Sequence, residues 1–266
     1  MKYTFFKIKY DLILFVIGLA LVCYPIFSNY IEHKDQLSQI STYDDYTKNL
    51  SDEEKTAMLE TAEKWNNDLF LKQNGLTSQS ELNYNQILNI GNQIIGTIEI
   101  PNIDVNMPIY HGTDDDVLSV GAGHLPDSSL PIGGKNTHTV LTGHRGLPSS
   151  KLFTRLDELK KGDLFYIKVL DKTLAYKIDI IETVLPENAH YEIESGKDLA
   201  TLVTCTPYGI NTHRLMLTGH RVPYKEEEKN QIKEYLPSLR EIIFYIIPLF
   251  FISSGLILYY KERRKS

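Results

Sequence analysis

The stretch Thr201-Leu202-Val203-Thr204-Cys205-Thr206-Pro207 ends in a cysteine followed by turn-forming residues. Its apolar and β-branched residues predict a strand, so the Cys205 thiol is expected where that strand ends. A second β-rich run, 212–218, follows after a short loop and is expected to lie alongside, with Arg214 next to Cys205. A thiol attacks as the thiolate, which a neighbouring cation favours. The pattern indicates a nucleophilic cysteine, and the competing interpretation is a small buried hydrophobic side chain.

A second β-rich run with a similar ending lies upstream. Residues 137–143 lead into His144-Arg145-Gly146, which places a histidine near another predicted strand end. The Thr-Leu-Val-Thr-Cys segment, the Thr-Gly-His segment and the downstream arginine resemble the sortases, the membrane-anchored cysteine transpeptidases of Gram-positive bacteria. The resemblance is strongest to the pilus-assembling class C branch and extends almost continuously from Gly96 to Arg221. Its further segments are Gly96-Thr97-Ile98-Glu99-Ile100-Pro101, Gly121-Ala122-Gly123-His124-Leu125 and Ser129-Leu130-Pro131-Ile132-Gly133-Gly134.

The resemblance implies a catalytic trio with distinct roles. Cys205 would attack the threonine carbonyl of an LPxTG-like sorting signal and form a thioacyl enzyme. His144 would give a proton to the departing amine, because an imidazole titrates near neutral pH. Arg214 would stabilise the negative charge that develops on the carbonyl oxygen, or would bind along the substrate backbone.

The resemblance also implies the partners. They are surface or pilin proteins that carry the sorting signal, and an amine that resolves the thioacyl enzyme. A lysine of another pilin subunit is the first expectation, and an amine of a peptidoglycan precursor is the alternative. No cofactor and no metal is expected. A hypothesis from a different class is a catalytically inactive binding module tethered to the membrane.

Other residues compete for the same roles. A papain-like Cys-His-Asn enzyme is disfavoured, because its cysteine precedes its histidine, whereas His144 precedes Cys205 here. The acidic run 114–116 suggests calcium, but its spacing is not that of an EF-hand, and a turn that leads into a helix is favoured. The competing histidines are His124, His138, His213 and His220, and the competing arginines are Arg145 and Arg221.

Composition limits the class of protein. The chain has 266 residues, of which 42% are hydrophobic and 23% are charged, enough for one substantial core. A formal net charge of −6, with no basic cluster in the central part, argues against nucleic acid as a partner. The two cysteines, Cys23 and Cys205, lie in different predicted segments, so the central part cannot form an internal disulfide.

Both ends of the chain are predicted to cross a membrane. An apolar segment at residues 12–31 follows several lysines, and a second at residues 242–260 precedes a basic tail. A cleaved signal peptide is the alternative for the first segment, which lacks a clear cleavage pattern. The positive-inside rule places both termini in the cytoplasm and the part between the spans outside the cell.

The segment between the first span and the strands is polar and predicted to be helical. Residues 32–85 carry apolar residues at roughly helical intervals, with Ser51 and Glu54 as a capping box. Many class C sortases carry an Asp-Pro-aromatic lid in this region, but residues 26–100 contain no proline. The hypothesis is an open cleft, or a lid of different chemistry drawn from residues 66–85.

Short β-rich runs separated by proline, glycine and asparagine follow from about residue 94. They predict an antiparallel-rich barrel or sandwich, and the resemblance implies a mainly β fold, the closed β-barrel of the sortases. The expected strands are 96–100, 105–110, 139–142, 163–170, 173–184, 199–204 and 212–218, with short helices at 115–120 and 149–159. The expected divisions of the chain are 1–31 (cytoplasmic tail and first anchor), 32–93 (helical stalk or unusual lid), 94–224 (catalytic barrel), 225–240 (linker) and 241–266 (second span and basic tail).

Overall fold

The computed structural model describes residues 2–77, 82–91, 93–147, 150–237 and 239–264. The chain divides into two units. The larger unit, His33–Tyr235, contains all the described strands. The smaller unit combines Met1–Glu32 with Leu236–Ser266.

The larger unit is built on a closed β-barrel. Its strands are β1 (Ile94–Ile100), β2 (Val105–His111), β3 (Ala122–His124), β4 (Thr137–Thr142), β5 (Leu164–Val169), β6 (Lys172–Val184), β7 (Asp198–Thr206) and β8 (His213–Val222). They close in the order β1-β2-β3-β4-β7-β8-β6-β5. Neighbouring strands are antiparallel except for β2 with β3 and β4 with β7, which are parallel. The predicted closed barrel is confirmed.

The main differences between the predicted elements and the structure are β3, the segment 149–159, and the short helix Glu226–Gln231 in the expected linker. The sequence does not predict β3, because a run of three residues that includes Gly123 carries no alternating pattern. The helix predicted at 115–120 is confirmed. It is α3 (Asp115–Val120), the third helix along the chain. The helix predicted at 149–159 is wrong, since the described part of that segment forms only a 3₁₀ turn at Leu156–Glu158. The φ angle of Leu152 is 37°, which lies outside the helical region.

Inward-facing aliphatic side chains fill the barrel. Ile98 and Ile100 of β1 and Met107 and Ile109 of β2 are 1% exposed or less, and they belong to the main core. Burying one such side chain contributes about 1.5–3 kcal/mol. A register shift of one residue would turn these side chains to solvent, so the core also fixes the register of the strands.

Two helices precede the barrel, α1 (Lys2–Asn49) and α2 (Asp52–Gln73). The predicted capping box at the start of α2 is confirmed. Ser51 Oγ accepts a hydrogen bond from the N–H of Glu54, and the Glu54 carboxylate accepts one from the N–H of Ser51. These two bonds satisfy backbone donors that a helix start otherwise leaves free, so α2 begins at a defined residue.

Helix α2 packs on the barrel through two neighbouring side chains. The buried amide of Asn66 donates to the C=O of Leu130 at 3.1 Å and accepts from its N–H at 2.7 Å. Trp65 packs against Tyr84, with ring centroids 5.7 Å apart. The predicted helical stalk is therefore part of the same folded unit as the barrel.

Two of the described helices are long and apolar enough to cross a membrane. One candidate span is Ile13–Asn49 of α1. After the short helix α4 (Glu226–Gln231), the second candidate is Glu241–Lys261 of α5 (Leu239–Arg263). A hydrocarbon core of about 30 Å needs only about 20 helical residues, so the polar end of α1 extends beyond that thickness. These helices coincide with the spans predicted at 12–31 and 242–260.

Candidate active site

Cys205 and Arg214 lie opposite each other on neighbouring strands. Strands β7 and β8 are antiparallel, and Cys205 is the direct partner of Arg214 in the ladder. Residues directly opposite in an antiparallel pair have their side chains on the same face, with Cβ atoms about 4.5–5.5 Å apart. The prediction that a short loop sets these two residues side by side is confirmed.

His144 lies just beyond the end of β4, next to the strand that carries Cys205. Strands β4 and β7 pair in parallel as far as Thr142 and Val203. The chain stays beside β7 after that point, because the N–H of Gly143 donates to the C=O of Val203 at 3.1 Å. His144 directly follows Gly143, close to the end of the strand that carries Cys205.

Cys205 and Arg214 lie on the outer face of the barrel wall. Side chains alternate along a strand, so Cys205 shares a face with Val203, and Arg214 shares a face with Met216. Val203 and Met216 belong to a small apolar cluster, whereas Leu202 of the same strand is part of the main core. The thiol and the guanidinium therefore lie next to this outer apolar cluster, on the same face of β7 and β8.

The third member of this outer cluster is Val140 of β4. His144 follows two residues after the end of β4 at Thr142. Partly buried side chains from three other segments cover the cluster: Leu125, Val184, Ala189 and Tyr191. Cys205 and Arg214 therefore adjoin a buried apolar cluster on β4, β7 and β8.

Arg214 keeps a positive charge that no acidic side chain neutralises. Within the described ranges, Arg214 makes no ion pair with a carboxylate, and its Nη1 donates to the backbone oxygens of Asn211 and His213. Burial raises the pKa of Tyr191, and the nearby charge of Arg214 opposes that rise. The guanidinium is therefore available to an anion that forms near Cys205.

The two competing arginines are paired with carboxylates. The side chain of Arg145 is buried, forms an ion pair with Asp157, and donates to Thr206 Oγ1 at 3.0 Å. Arg221 Nη1 lies 3.8 Å from Oδ2 of Asp198, which begins β7 at the end farthest from the thiol. Neither arginine offers the uncompensated charge that Arg214 has.

Two of the competing histidines are buried structural residues. Nε2 of His124 lies 2.8 Å from the C=O of Ser129, and burial lowers the pKa of His124 to about 4. Nε2 of His138 lies 2.7 Å from Thr201 Oγ1, and burial lowers the pKa of His138 as well. Both rings are held inside the fold, away from the end of β7.

The other two competing histidines are more exposed, and neither lies beside the thiol: His220 is at the far end of β8, and His213 is on the opposite face. His220 pairs with Asp179 on β6. His213 bonds to Thr212 Oγ1 at 2.9 Å and is the ladder partner of Thr206. Because Thr206 is adjacent to the cysteine in the strand, its pair points to the opposite face. Of the histidines considered, His144 is the one that follows β4 at the end of the barrel wall where Cys205 lies.

A carboxylate that the sequence does not predict lies beside His144. Asp115 Oδ1 is 3.9 Å from His144 Nε2, and the Asp115 side chain is fully exposed. The prediction that the acidic run 114–116 starts a helix is confirmed, because α3 begins at Asp115. No local pattern links this helix to His144, since the crossover between β2 and β3 brings them together. Among the described residues, no three His, Cys, Asp or Glu side chains are grouped to hold a metal ion.

The hypothetical lid segment falls partly outside the described residues, which exclude 78–81. In the described part, Gln73 Oε1 accepts a hydrogen bond from the N–H of Ile193 in the loop between β6 and β7. The hydroxyl of Tyr84 lies 2.7 Å from Nδ1 of His124. The segment is therefore attached to that loop and to β3, and a lid of unusual chemistry stays a hypothesis.

Comparisons with known proteins agree on one family. Residues 98–222 match the model of the sortase domain. Sortase A of Streptococcus agalactiae serotype III (strain NEM316) is 32% identical over 201 residues, which cover 73% of this chain and 76% of that protein.

Solved structures of class C sortases are similar in both fold and sequence. One is Clostridium perfringens sortase C with the C-terminal cell wall sorting motif, which is 44% identical with a TM-score of 0.62 and covers 71% of this chain and 100% of that chain. Another is Streptococcus pneumoniae sortase C, described as informative on catalysis and pilin substrate specificity. It is 43% identical with a TM-score of 0.63 and covers 70% of this chain and 97% of that chain.

Proposed function

Because the chain belongs to the sortase family, whose members are cysteine transpeptidases, we propose that it joins proteins through a thioacyl intermediate on Cys205. The observation that carries this proposal is the ladder pairing of Cys205 with Arg214, with His144 next to the same strand end. A thiol, an imidazole and a guanidinium at one end of the barrel wall supply a nucleophile, a proton carrier and a stabiliser of negative charge.

In the first half of the reaction, the thiolate of Cys205 attacks the threonine carbonyl carbon of the sorting signal. Negative charge develops on the carbonyl oxygen, where the guanidinium of Arg214 stabilises it. The tetrahedral intermediate then collapses, and the bond between threonine and glycine breaks. Protonated His144 gives its proton to the departing amine. The products are a thioester on Cys205 and a free peptide that begins with glycine.

In the second half, an amine attacks the thioester carbonyl. Neutral His144 accepts the proton that this amine loses, and the Cys205 thiolate leaves. One amide bond has been exchanged for another, and both side chains return to their starting protonation states. The cycle needs no oxidant, reductant or energy source.

The donor in this proposal is an LPxTG-like signal, and the acceptor is a lysine of a pilin subunit. The sorting motif accompanies the C. perfringens relative, and pilin specificity is linked to the S. pneumoniae relative. An amine of a peptidoglycan precursor is the alternative acceptor.

We also propose that both termini lie in the cytoplasm and that the unit His33–Tyr235 lies outside the cell. Sortases are membrane-associated, and both ends of this chain carry a candidate span with lysines or arginines on its terminal side. The catalytic barrel expected at 94–224 and the linker expected at 225–240 stay predictions.

Acceptor competition tests the proposed function. Full-length protein in detergent is incubated with an LPxTG peptide and equal concentrations of a pilin-derived lysine peptide and a peptidoglycan-precursor amine, beside Cys205→Ala. We expect the lysine product to dominate and both products to disappear in the variant. A dominant precursor product would replace the pilus role by cell-wall anchoring. Product formation that survives Cys205→Ala would overturn the proposed mechanism.

A further inference from the structure

Arg145 follows His144 directly in the chain, yet its side chain is only 3% exposed. Its Nη1 donates to Thr206 Oγ1 at 3.0 Å, and its Nη2 pairs with the carboxylate of Asp157. Thr206 is the residue after Cys205 and the last of β7. The guanidinium therefore bridges the loop that carries His144 and the strand end that carries Cys205.

The third point of this bridge is itself anchored. Asp157 lies in the 3₁₀ turn Leu156–Glu158. The preceding residue of that turn, Arg155, donates to Glu234 at 2.8 Å and to the C=O of Tyr235 at 2.7 Å. Hydrogen bonds from Arg155 to Glu234 and Tyr235 thus fix the start of the turn that carries Asp157. Asp157 is therefore a fixed partner for Arg145.

His144 needs such a support because it lies outside the barrel ladder. Strand β4 ends at Thr142, and the backbone oxygen of His144 accepts one hydrogen bond, from the N–H of Phe153 at 3.2 Å. Gly143 is bonded to Val203 and Thr204, and Gly146 to Thr154, so the backbone on both sides of His144 is held, and Arg145 adds a side-chain link from this loop to the strand end. A displacement of about 1 Å between reacting groups costs about 100-fold in rate.

We propose that Arg145 is a positioning residue, which fixes the separation of the His144 imidazole and the Cys205 thiol by holding Thr206 against Asp157. The proposal rests on the function proposed above. Arginine suits the task because its planar fork bonds in two directions at once, and its charge is already neutralised by Asp157. Arg145 thus acts through its neighbours, whereas Arg214 acts on the substrate.

A buried ion pair also contributes to folding, so the test must separate positioning from stability. Two substitutions of Thr206 in the full-length protein do this. Thr206→Val keeps the branched shape and removes the hydroxyl that accepts from Arg145, whereas Thr206→Ser keeps the hydroxyl. We expect Thr206→Val to lower kcat roughly 10- to 100-fold, with KM changed less than about threefold. Thr206→Ser should restore most of the wild-type kcat.

A second variant changes Arg145, the bridging residue itself. Arg145→Lys keeps the charge but loses the fork, so we expect the same loss of kcat with KM nearly unchanged. The melting temperature of each variant is measured alongside. If Thr206→Val and Arg145→Lys melt earlier but keep the wild-type kcat, the bridge serves only the fold, and the proposal is wrong.

Alkylation of Cys205 by iodoacetamide needs no peptide, so it tests the bridge even if transpeptidation itself is absent. We expect Thr206→Val to slow alkylation at neutral pH in the wild-type background and to have no further effect in a His144→Ala background. Equal slowing in both backgrounds would overturn the proposal, because the bridge would then not act through His144. If Thr206→Val slows alkylation only when His144 is present but the wild-type protein catalyses no transpeptidation, the proposed function alone is overturned.

Discussion

Arg214 and Arg145 both lie near Cys205, but the charges around them differ. Arg145 pairs with Asp157, whereas Arg214 has no carboxylate partner within the described part of the chain. A guanidinium that is already neutralised stabilises new negative charge poorly. The difference in partners, and not the residue type, assigns the electrostatic role to Arg214 and the positioning role to Arg145.

We expect Arg214→Lys to lower kcat/KM for transpeptidation by about 100-fold, because an ammonium lacks the directional N–H groups of a guanidinium. Steady-state kinetics with a fluorogenic sorting-signal peptide measures the change. Arg221→Lys is the matched control, since Arg221 lies at the far end of β8 and should change the rate less than about twofold. Wild-type kinetics in Arg214→Lys would argue against the assigned role.

The sequence predicts some of these residues for local reasons. Two β-rich runs flank a single short loop, so the adjacency of Cys205 and Arg214 follows from a hairpin. The parallel pairing of β4 with β7 is a long-range contact, and the choice of His144 therefore depends on the family resemblance. The approach of Asp115 to His144, and the bond from Arg145 to Thr206, arise only in the folded barrel.

At the scale of elements, a buried amide is the most specific contact between α2 and the rest of the larger unit. Asn66 accepts from the buried N–H of Leu130 and donates to its C=O, which also accepts from the N–H of Ile132 at 2.8 Å. A buried backbone group without a partner is costly, so one side chain contributes much of the docking specificity of this helix.

We expect Asn66→Ala to lower the free energy of unfolding by about 2 kcal/mol, because it leaves the buried N–H of Leu130 without its partner, whereas the C=O of Leu130 keeps the N–H of Ile132. Urea denaturation of a 33–235 fragment measures the loss. Asn67 is exposed on the same helix, and Asn67→Ala should change the stability by less than about 0.5 kcal/mol. Equal stabilities of the two variants would mean that the Asn66 amide does not anchor the helix.

Patterns in the sequence predict most elements but mislead at 149–159. Four of its apolar residues recur at helical intervals, and all are buried in the main core: Leu152, Phe153, Leu156 and Leu159. They reach the core through turns, because the N–H of Phe153 bonds back to the C=O of His144. Helical spacing indicates which side chains are buried here, but the tertiary contact decides the backbone. The capping box of α2 is local, and it was predictable for that reason.

At the scale of the whole molecule, buried histidines make the larger unit sensitive to acid. Burial lowers the pKa of His111, His124 and His138. For His124 the pKa falls from 6.5 to about 4. Between these values the unfolded chain binds a proton that the folded protein does not bind. The stability of the fold therefore rises with pH across this window and falls on acidification.

We expect the free energy of unfolding of the 33–235 fragment to decrease as the pH falls from about 6.5 to about 4, with about 3 kcal/mol from His124 alone. Urea denaturation at a series of pH values measures the slope. His124→Gln should flatten this slope, whatever its effect on stability at neutral pH. His190→Gln, at an exposed position, should leave the slope unchanged. The same slope in wild type and His124→Gln would contradict the prediction.

The proposed membrane topology places Cys205 outside the cell. The other cysteine, Cys23, lies within the candidate span Ile13–Asn49. A membrane-impermeant maleimide should therefore label Cys205 in intact cells, and Cys205→Ala should abolish the labelling. Labelling that requires cell lysis would place the barrel in the cytoplasm and contradict the topology.

The thioacyl enzyme on Cys205 is the central claim, and intact-mass analysis tests it most directly. Full-length protein is incubated with an LPxTG peptide in the absence of an amine acceptor, beside Cys205→Ala. We predict a mass gain equal to the peptide up to its threonine, which hydroxylamine removes and the variant lacks. Absence of this adduct across a panel of variant signals, from protein whose Cys205 is readily alkylated, would contradict the proposed reaction.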